Sequence, residues 1–230
     1  MILKLRSAAL LVPLAVSVLT LAGCASSAPI AADPSPTAGE SGMQTAAAWL
    51  DAGRIIGVVT WGSSTCVPTA DAATASGQEI TVTLTDNAEG ACTADYAPRA
   101  SEVAVPAGVD PKQDVTVHLT YLDQTVDLTL AGDPGLTGTP GEPTDYQPTA
   151  GWFTDQGIAL LTWGSSTCRP QPAKVDETAD GITVSFTPHD GACTMDMVPR
   201  LTVISVEGGD HDRNLTLVGD NLDATIPIVG

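Results

Sequence analysis

The chain carries the same segment twice. Thr-Trp-Gly-Ser-Ser-Thr-Cys at 60–66 recurs unchanged at 162–168, and Gly-Ala-Cys-Thr at 90–93 recurs at 191–194. Other identities keep the same order around these segments, pairing Trp49 with Trp152, Asp95 with Asp196, Pro98 with Pro199, and Arg99 with Arg200. Shared order, spacing and identity indicate a duplicated domain. Two copies favour a tandem pair over a solenoid, which stacks many short repeats.

Apolar and hydroxyl residues alternate within each copy. Residues 80–85 and 115–121 in the first copy, and 182–187 in the second, follow this period of two, which is typical of strands with one wet face. Residues 56–61 and 158–163 are apolar on both faces, which predicts central strands. The sequence therefore predicts an all-β chain with two tandem small antiparallel β-sandwich modules of immunoglobulin-like architecture.

Proline and glycine mark the module boundaries. The segment from 132 to 148 holds Pro134, Pro140, Pro143 and Pro148 between the two copies, which is typical of a linker. The predicted organisation is a signal peptide at 1–23, a flexible tether at 24–44, module 1 at 45–132, a Pro/Gly linker at 133–148 and module 2 at 149–230.

The amino-terminal segment has the layout of an export signal. Lys4 and Arg6 precede an apolar run that ends in Leu-Ala-Gly-Cys at 21–24. This run is shorter than the ~20 residues of a spanning helix. Leu-Ala-Gly-Cys in this setting resembles the lipobox of bacterial lipoproteins. The whole chain resembles envelope lipoproteins of actinobacteria, also through its Ala/Thr-rich composition and its Trp-Gly-Ser-Ser-Thr-Cys module. The resemblance implies cleavage before Cys24, attachment of lipid to Cys24, and residence on the extracytoplasmic face of the cell membrane.

The charge balance limits the partners. The chain has 9 Lys and Arg residues against 27 Asp and Glu, a net charge of −18, and removal of the leader with Lys4 and Arg6 makes it more negative. Such a surface repels nucleic acid, so no nucleic-acid partner is expected.

Four cysteines remain besides Cys24, two in each copy. In an exported chain the simplest pairing is Cys66 with Cys92 and Cys168 with Cys193. Zinc is the rival reading, but no histidine repeats beside these cysteines. We therefore expect two disulfides, no metal and no other cofactor.

The repeated Ser-Ser-Thr segment offers hydroxyls without a shared base. A serine nucleophile needs a base and an orienting group, yet His118 occurs in the first copy only, and His189 and His211 occur in the second only. The sequence thus predicts no catalytic residues and no enzyme.

Trp61, Arg99, Trp163 and Arg200 are the candidate binding residues, because each tryptophan and arginine lies inside a repeated motif. In the structural alternative, the tryptophans are core residues that pack on the disulfides. The arginines then hold a loop in place through paired hydrogen bonds from the guanidinium group to a carboxylate or to carbonyl oxygens.

The expected function is that of a membrane-anchored, extracytoplasmic binding or adaptor protein of the cell envelope. Its partners are the membrane, through the lipid, and an envelope protein, peptide or glycan. The alternatives are an envelope hydrolase with an unrecognised site and a passive structural surface protein.

Overall fold

Alternating apolar and hydroxyl residues form strands throughout the part of the chain that the computed structural model describes, residues 44–87 and 90–230. These residues belong to one compact unit, Gly42–Gly230. The signal peptide, Cys24 and all but the last residue of the tether lie outside the described residues.

The strands of the first repeat are β1 Thr45–Leu50, β2 Ile55–Gly62, β3 Thr69–Ala70, β4 Thr74–Ser76, β5 Glu79–Thr85, β6 Ala97–Ala104, β7 Val115–Tyr121 and β8 Gln124–Leu130. Those of the second are β9 Thr149–Thr154, β10 Gly157–Gly164, β11 Gln171–Glu177, β12 Gly181–Thr187, β13 Val198–Ser205, β14 Asn214–Gly219 and β15 Leu222–Val229. A 3-10 turn, Asp51–Gly53, links β1 to β2.

Each repeat divides its strands between two sets. In the first repeat, β1-β2-β6 form one sheet, and β3-β5-β7-β8, with β4 also on β5, form another. The second repeat has the same sets, β9-β10-β13 and β11-β12-β14-β15. Ile228 and Val229 of β15 pair with β9 and join them into one seven-stranded sheet. The doubly apolar strands β2 and β10 are each central among three, as the sequence predicts.

The all-β class is confirmed, but the immunoglobulin-like antiparallel arrangement is wrong. β5 runs parallel to β7, and β12 runs parallel to β14. The reason is the route of the chain. After β5 it crosses to the β1-β2-β6 sheet, forms β6 there and returns to form β7, so β5 and β7 become neighbours that run in the same direction. β13 has the same place between β12 and β14 in the second repeat. Parallel neighbours of this kind are a feature of β-solenoids, so the pairing suggests a β-solenoid-like order rather than two tandem immunoglobulin-like sandwiches.

Each repeat has its own apolar core, drawn from both of its strand sets. In the first repeat Trp49 and Ile56 pack with Val82 and Leu119. In the second, Trp152 and Ile158 pack in the same way with residues of β12 and β14. Alternation explains this, because every second side chain of a strand points to the same face.

A third core lies between the repeats. Leu50 and Ile55 of the first repeat pack against Leu161 and Phe153 of the second. The other face of β2 and β10 is buried here, which is the physical reason that both strands are apolar on both sides.

Small residues allow this close approach. A Cβ atom added to Gly57 would lie 3.5 Å from Cβ of Ala159, its counterpart in the second repeat. One added to Gly151 would lie 3.1 Å from Cβ of Ala48, also its counterpart, and 2.5 Å from the Trp49 carbonyl oxygen. Because counterparts face one another, the contact has the character of a two-fold symmetric dimer interface.

The predicted linker packs against the repeats. Leu136 is buried in the first core, and the Gly138 backbone N–H donates a hydrogen bond to the Ala52 carbonyl oxygen at 2.8 Å. The Tyr146 ring meets Trp163 edge-on, with centroids 5.2 Å apart. The segment between β8 and β9 therefore contributes to the fold as well as connecting the repeats.

We expect Gly151→Ala to destabilise the protein by about 1–3 kcal/mol, because the new methyl group collides with backbone that cannot move away without opening the contact between repeats. The measurement is chemical denaturation of the full chain. Gly191→Ala is the matched control, since a Cβ there meets nothing within 4 Å. Equal stability of both variants would contradict the close-packing argument.

Candidate functional site

The repeated motif forms a loop stapled by a disulfide. β2 ends at Gly62, the chain turns through 63–65, and Cys66 bonds to Cys92. In the second repeat β10 ends at Gly164, and Cys168 bonds to Cys193. Both predicted disulfides are confirmed.

Hydroxyl groups and one carboxylate close each loop. In the first repeat Ser63 Oγ lies 2.9 Å from Thr93 Oγ1, and Thr65 Oγ1 lies 3.2 Å from the same atom. Asp95 accepts hydrogen bonds from the Ser64 backbone N–H, at 3.2 Å, and from the Thr93 hydroxyl. Thr65, Thr93 and Asp95 are exposed and Ser63 is half-buried, so these groups form a solvated clasp across the disulfide.

The second repeat builds the same clasp. Ser165 Oγ lies 2.7 Å from Thr194 Oγ1, and Asp196 accepts a hydrogen bond from the Ser166 backbone N–H at 3.2 Å. Hydrogen bonds from Ser166 and from the Thr194 hydroxyl hold the pKa of Asp196 down to about 2. Those from Ser64 and Thr93 do the same for Asp95, whose pKa is also about 2. The clasp is thus built for ionised carboxylates.

Arg99 lies beneath the first clasp and holds its carbonyl groups. Nη1 donates to the Ser63 carbonyl oxygen at 3.2 Å and also to that of Cys66. Nη2 donates to the Tyr121 hydroxyl at 2.5 Å. Asp86 completes the set, with its carboxylate 3.9 Å from Nη2. Arg99 itself is buried.

The glycine of the motif makes room for the guanidinium group. A Cβ atom on Gly62 would lie 2.7 Å from Cζ of Arg99, and one on Gly164 would lie 2.9 Å from Cζ of Arg200. The Trp-Gly-Ser sequence therefore recurs for a steric reason, since any larger residue displaces the arginine.

Arg200 holds the second loop with fewer contacts. Nη1 donates to the Cys168 carbonyl oxygen at 2.6 Å, and Nη2 donates to that of Trp163 at 2.9 Å. Nε is buried without a hydrogen-bond partner among the described residues. Burial lowers the pKa of Arg200, and the nearby Asp220 carboxylate acts in the opposite direction.

A cavity of about 700 Å³ opens beside Arg200. The disulfide forms one wall, and the turn that carries Asp220 forms another. Asp220 Oδ2 lies 3.7 Å from His189 Nδ1, and its Oδ1 accepts a hydrogen bond from the His189 backbone N–H at 3.2 Å. The residues that give the cavity its chemistry are Trp163, Cys168, Pro188, His189, Arg200 and Asp220.

Both predicted tryptophans face the other repeat and not the core of their own. Trp61 meets Phe153 edge-on, with centroids 6.2 Å apart, and the half-buried Trp163 packs against the core between the repeats. The alternation of side chains along a strand explains why the tryptophans, contrary to the structural alternative, are not core residues of their own repeat. Ile56, Val58 and Thr60 of β2 alternate with the residues that point the other way, and Trp61 is one of those.

The sequence analysis missed Tyr121, Asp86 and Asp220, since none of them belongs to a repeated motif. Their roles come from strand neighbours that are distant in sequence. The signal that could have found them is the alignment of two hairpin turns, Leu122-Asp123 and Asp220-Asn221, in which all four residues have positive φ. When the two turns are aligned, Gly219 of the second repeat corresponds to Tyr121 of the first.

Other classes of site find no support in the described ranges. No group of three or more His, Cys, Asp and Glu side chains there is arranged to hold a metal ion. The described residues also include no helix with the length and apolar character needed to span a membrane. Comparison with protein-family models, curated proteins and solved structures gives no match to this chain.

We expect Thr93→Val to raise the pKa of Asp95 from about 2 towards 3.8, because the variant removes a hydroxyl donor to the carboxylate. Ionised Asp95 stabilises the native loop above about pH 4, and this contribution is lost as the pH falls through about 2. Carbon-detected NMR titration measures the change. Asp196 in the same molecule is the internal control and should stay at about 2; an unmoved Asp95 would contradict the clasp.

Proposed function

We propose that this chain is a membrane-anchored, extracytoplasmic lipoprotein of the bacterial envelope that acts as a non-enzymatic binding protein. Two observations of different kinds support the location. Leu-Ala-Gly-Cys at 21–24 has the form of a lipobox. The two disulfides fit an oxidising compartment, because cytosolic thiols are kept reduced.

The cavity beside Arg200 is the observation that supports a binding function. Its volume of about 700 Å³ falls in the range of ligand sites, roughly 300–1,000 Å³. Arg200 and Asp220 place opposite charges at its wall, and the rings of Trp163 and Pro188 add apolar surface to a lining that is otherwise largely polar. Polar groups that converge on one cavity can orient a small ligand.

The hydrolase alternative has one observation in its favour. Ser165, His189 and Asp220 all line this cavity, and the histidine and aspartate are 3.7 Å apart. Against it, Ser165 Oγ forms its hydrogen bonds with Thr194 and Thr167, neither of which is a base. Binding is therefore the better-supported function.

We expect the mass of membrane-extracted protein to equal that of the chain from Cys24 onward plus a diacylglyceryl group. The test is intact-mass spectrometry, with Cys24→Ala as the control variant, which should carry no lipid and leave the detergent phase. A full-length chain in the cytosol with its leader uncut would contradict the anchor.

We expect Arg200→Lys to abolish ligand retention and Arg99→Lys to leave it intact. Lysine keeps the charge but lacks the planar fork, and the guanidinium of Arg99 is already covered by Tyr121. The measurement is mass spectrometry of small molecules retained from a native envelope extract by the full-length protein. Turnover of p-nitrophenyl acetate that is lost in Ser165→Ala would favour the hydrolase. Neither retention nor turnover would favour a passive surface protein.

A further inference from the structure

We infer that the cavity beside Arg200 binds a phenol group, held as the first repeat holds the side chain of its own Tyr121. The inference rests on the binding function proposed above and names the chemistry of the ligand. It comes from a comparison of the two repeats, one of which carries the group and one of which lacks it.

The first repeat shows the complete arrangement. The Tyr121 hydroxyl accepts a hydrogen bond from Arg99 Nη2 at 2.5 Å and donates one to Asp86 Oδ1 at 2.6 Å. The guanidinium carbon of Arg99 lies 6.0 Å from the centre of the ring. Tyr121 is only 3 % exposed. A neutral phenol thus bridges a buried cation and a carboxylate and satisfies both.

The second repeat has no tyrosine at this place. Ile80 pairs with Val117 in the first repeat, and its counterpart Ile182 pairs with Leu215 in the second. In the same way Val82 pairs with Leu119, and its counterpart Val184 pairs with Leu217. Tyr121 lies two residues after Leu119 and Gly219 lies two residues after Leu217, so Gly219 is the counterpart of Tyr121. The following hairpin turns agree, since both place two left-handed residues directly after this position.

The second repeat nevertheless keeps a cation and a carboxylate. Pro188 replaces Asp86, but Asp220, in the turn after Gly219, supplies a carboxylate whose side chain is 9 % exposed. Its charge acts on Arg200. Arg200 and Asp220 both line the cavity. A donor and an acceptor are therefore both present there, without the tyrosine hydroxyl that joins them in the first repeat.

The charges select a phenol over other aromatic ligands. A carboxylate would approach Asp220 and an ammonium group would approach Arg200, and each meets a like charge. A plain hydrocarbon ring would cover both polar groups without offering either a further hydrogen bond. A phenol accepts from the arginine and donates to the aspartate, while its ring packs on Trp163 and Pro188.

The probes are p-cresol and N-acetyltyrosinamide, which represent a free phenol and a tyrosine side chain of a peptide. Full-length protein is titrated with each by NMR, beside toluene, N-acetylphenylalaninamide and benzoate. We expect p-cresol to bind at least about tenfold more tightly than toluene, the ratio that corresponds to one hydrogen bond. Binding of p-cresol alone identifies a free phenol as the ligand, and binding of both phenols extends the site to tyrosine side chains.

Asp220→Asn is the first variant, because asparagine tolerates positive φ and keeps an acceptor for the His189 N–H. We expect it to weaken p-cresol binding about tenfold, whereas the matched change Asp86→Asn leaves it unchanged. In Tyr121→Ala, which empties the same place beside Arg99, p-cresol should bind at two sites per chain. If Tyr121→Ala does not fold, the comparison of Asp220→Asn with Asp86→Asn still tests the inference.

Two outcomes overturn the inference in different ways. Equal affinity for toluene and p-cresol, or tighter binding of benzoate, would refute the phenol while leaving a ligand site in place. No binding of any probe, together with no retained compound from the envelope extract, would refute the binding function as well.

Discussion

The packing of the β1-β2-β6 strands against the β9-β10-β13 strands holds this molecule together, mainly through contacts of β1 with β9 and of β6 with β13. The strands β2 and β10 each lie at the centre of three and bury one face in their own repeat and the other towards the opposite repeat. Small residues face one another at matching positions, Gly57 of β2 opposite Ala159 of β10 and Ala48 of β1 opposite Gly151 of β9, and the second pair is the one that leaves no room for a larger side chain. The duplicated domain therefore behaves as a covalently linked dimer whose interface is part of the core. The segment between β8 and β9 packs on both repeats, with Leu136 in the core of the first and Tyr146 against Trp163 of the second.

The disulfide loops project from this body and follow from its strands. β2 and β10 each end in a glycine over which an arginine lies, and the arginine fastens the loop carbonyls. The hydroxyl and carboxylate clasp closes the same loop from the solvent side. Because three kinds of interaction converge on a few residues, the loop geometry is conserved between the two repeats although much of the surrounding sequence differs.

Duplication leaves one copy free to change. The first repeat completes its arginine with Tyr121 and Asp86, which makes that place part of the core. The second repeat has Gly219 and Pro188 there, with an open cavity and a carboxylate from Asp220. The same framework thus provides a closed form in the first repeat and an open form in the second, which we propose binds a ligand. Binding through one repeat only would make the protein asymmetric in function while its fold remains symmetric.

The sequence alone determined the duplication, the all-β class, the two disulfides and the central place of β2 and β10. Each depends on a local pattern: identity at fixed spacing, a period of two, or paired cysteines. It also singled out Arg99 and Arg200, because they lie in the repeated motif. Only the tertiary structure decided the parallel pairing of β5 with β7, the half-buried placement of Trp61 and Trp163 towards the other repeat, and the roles of Tyr121 and Asp220. All of these depend on which strands become neighbours, and long-range pairing leaves no local period in the chain from which it could be read.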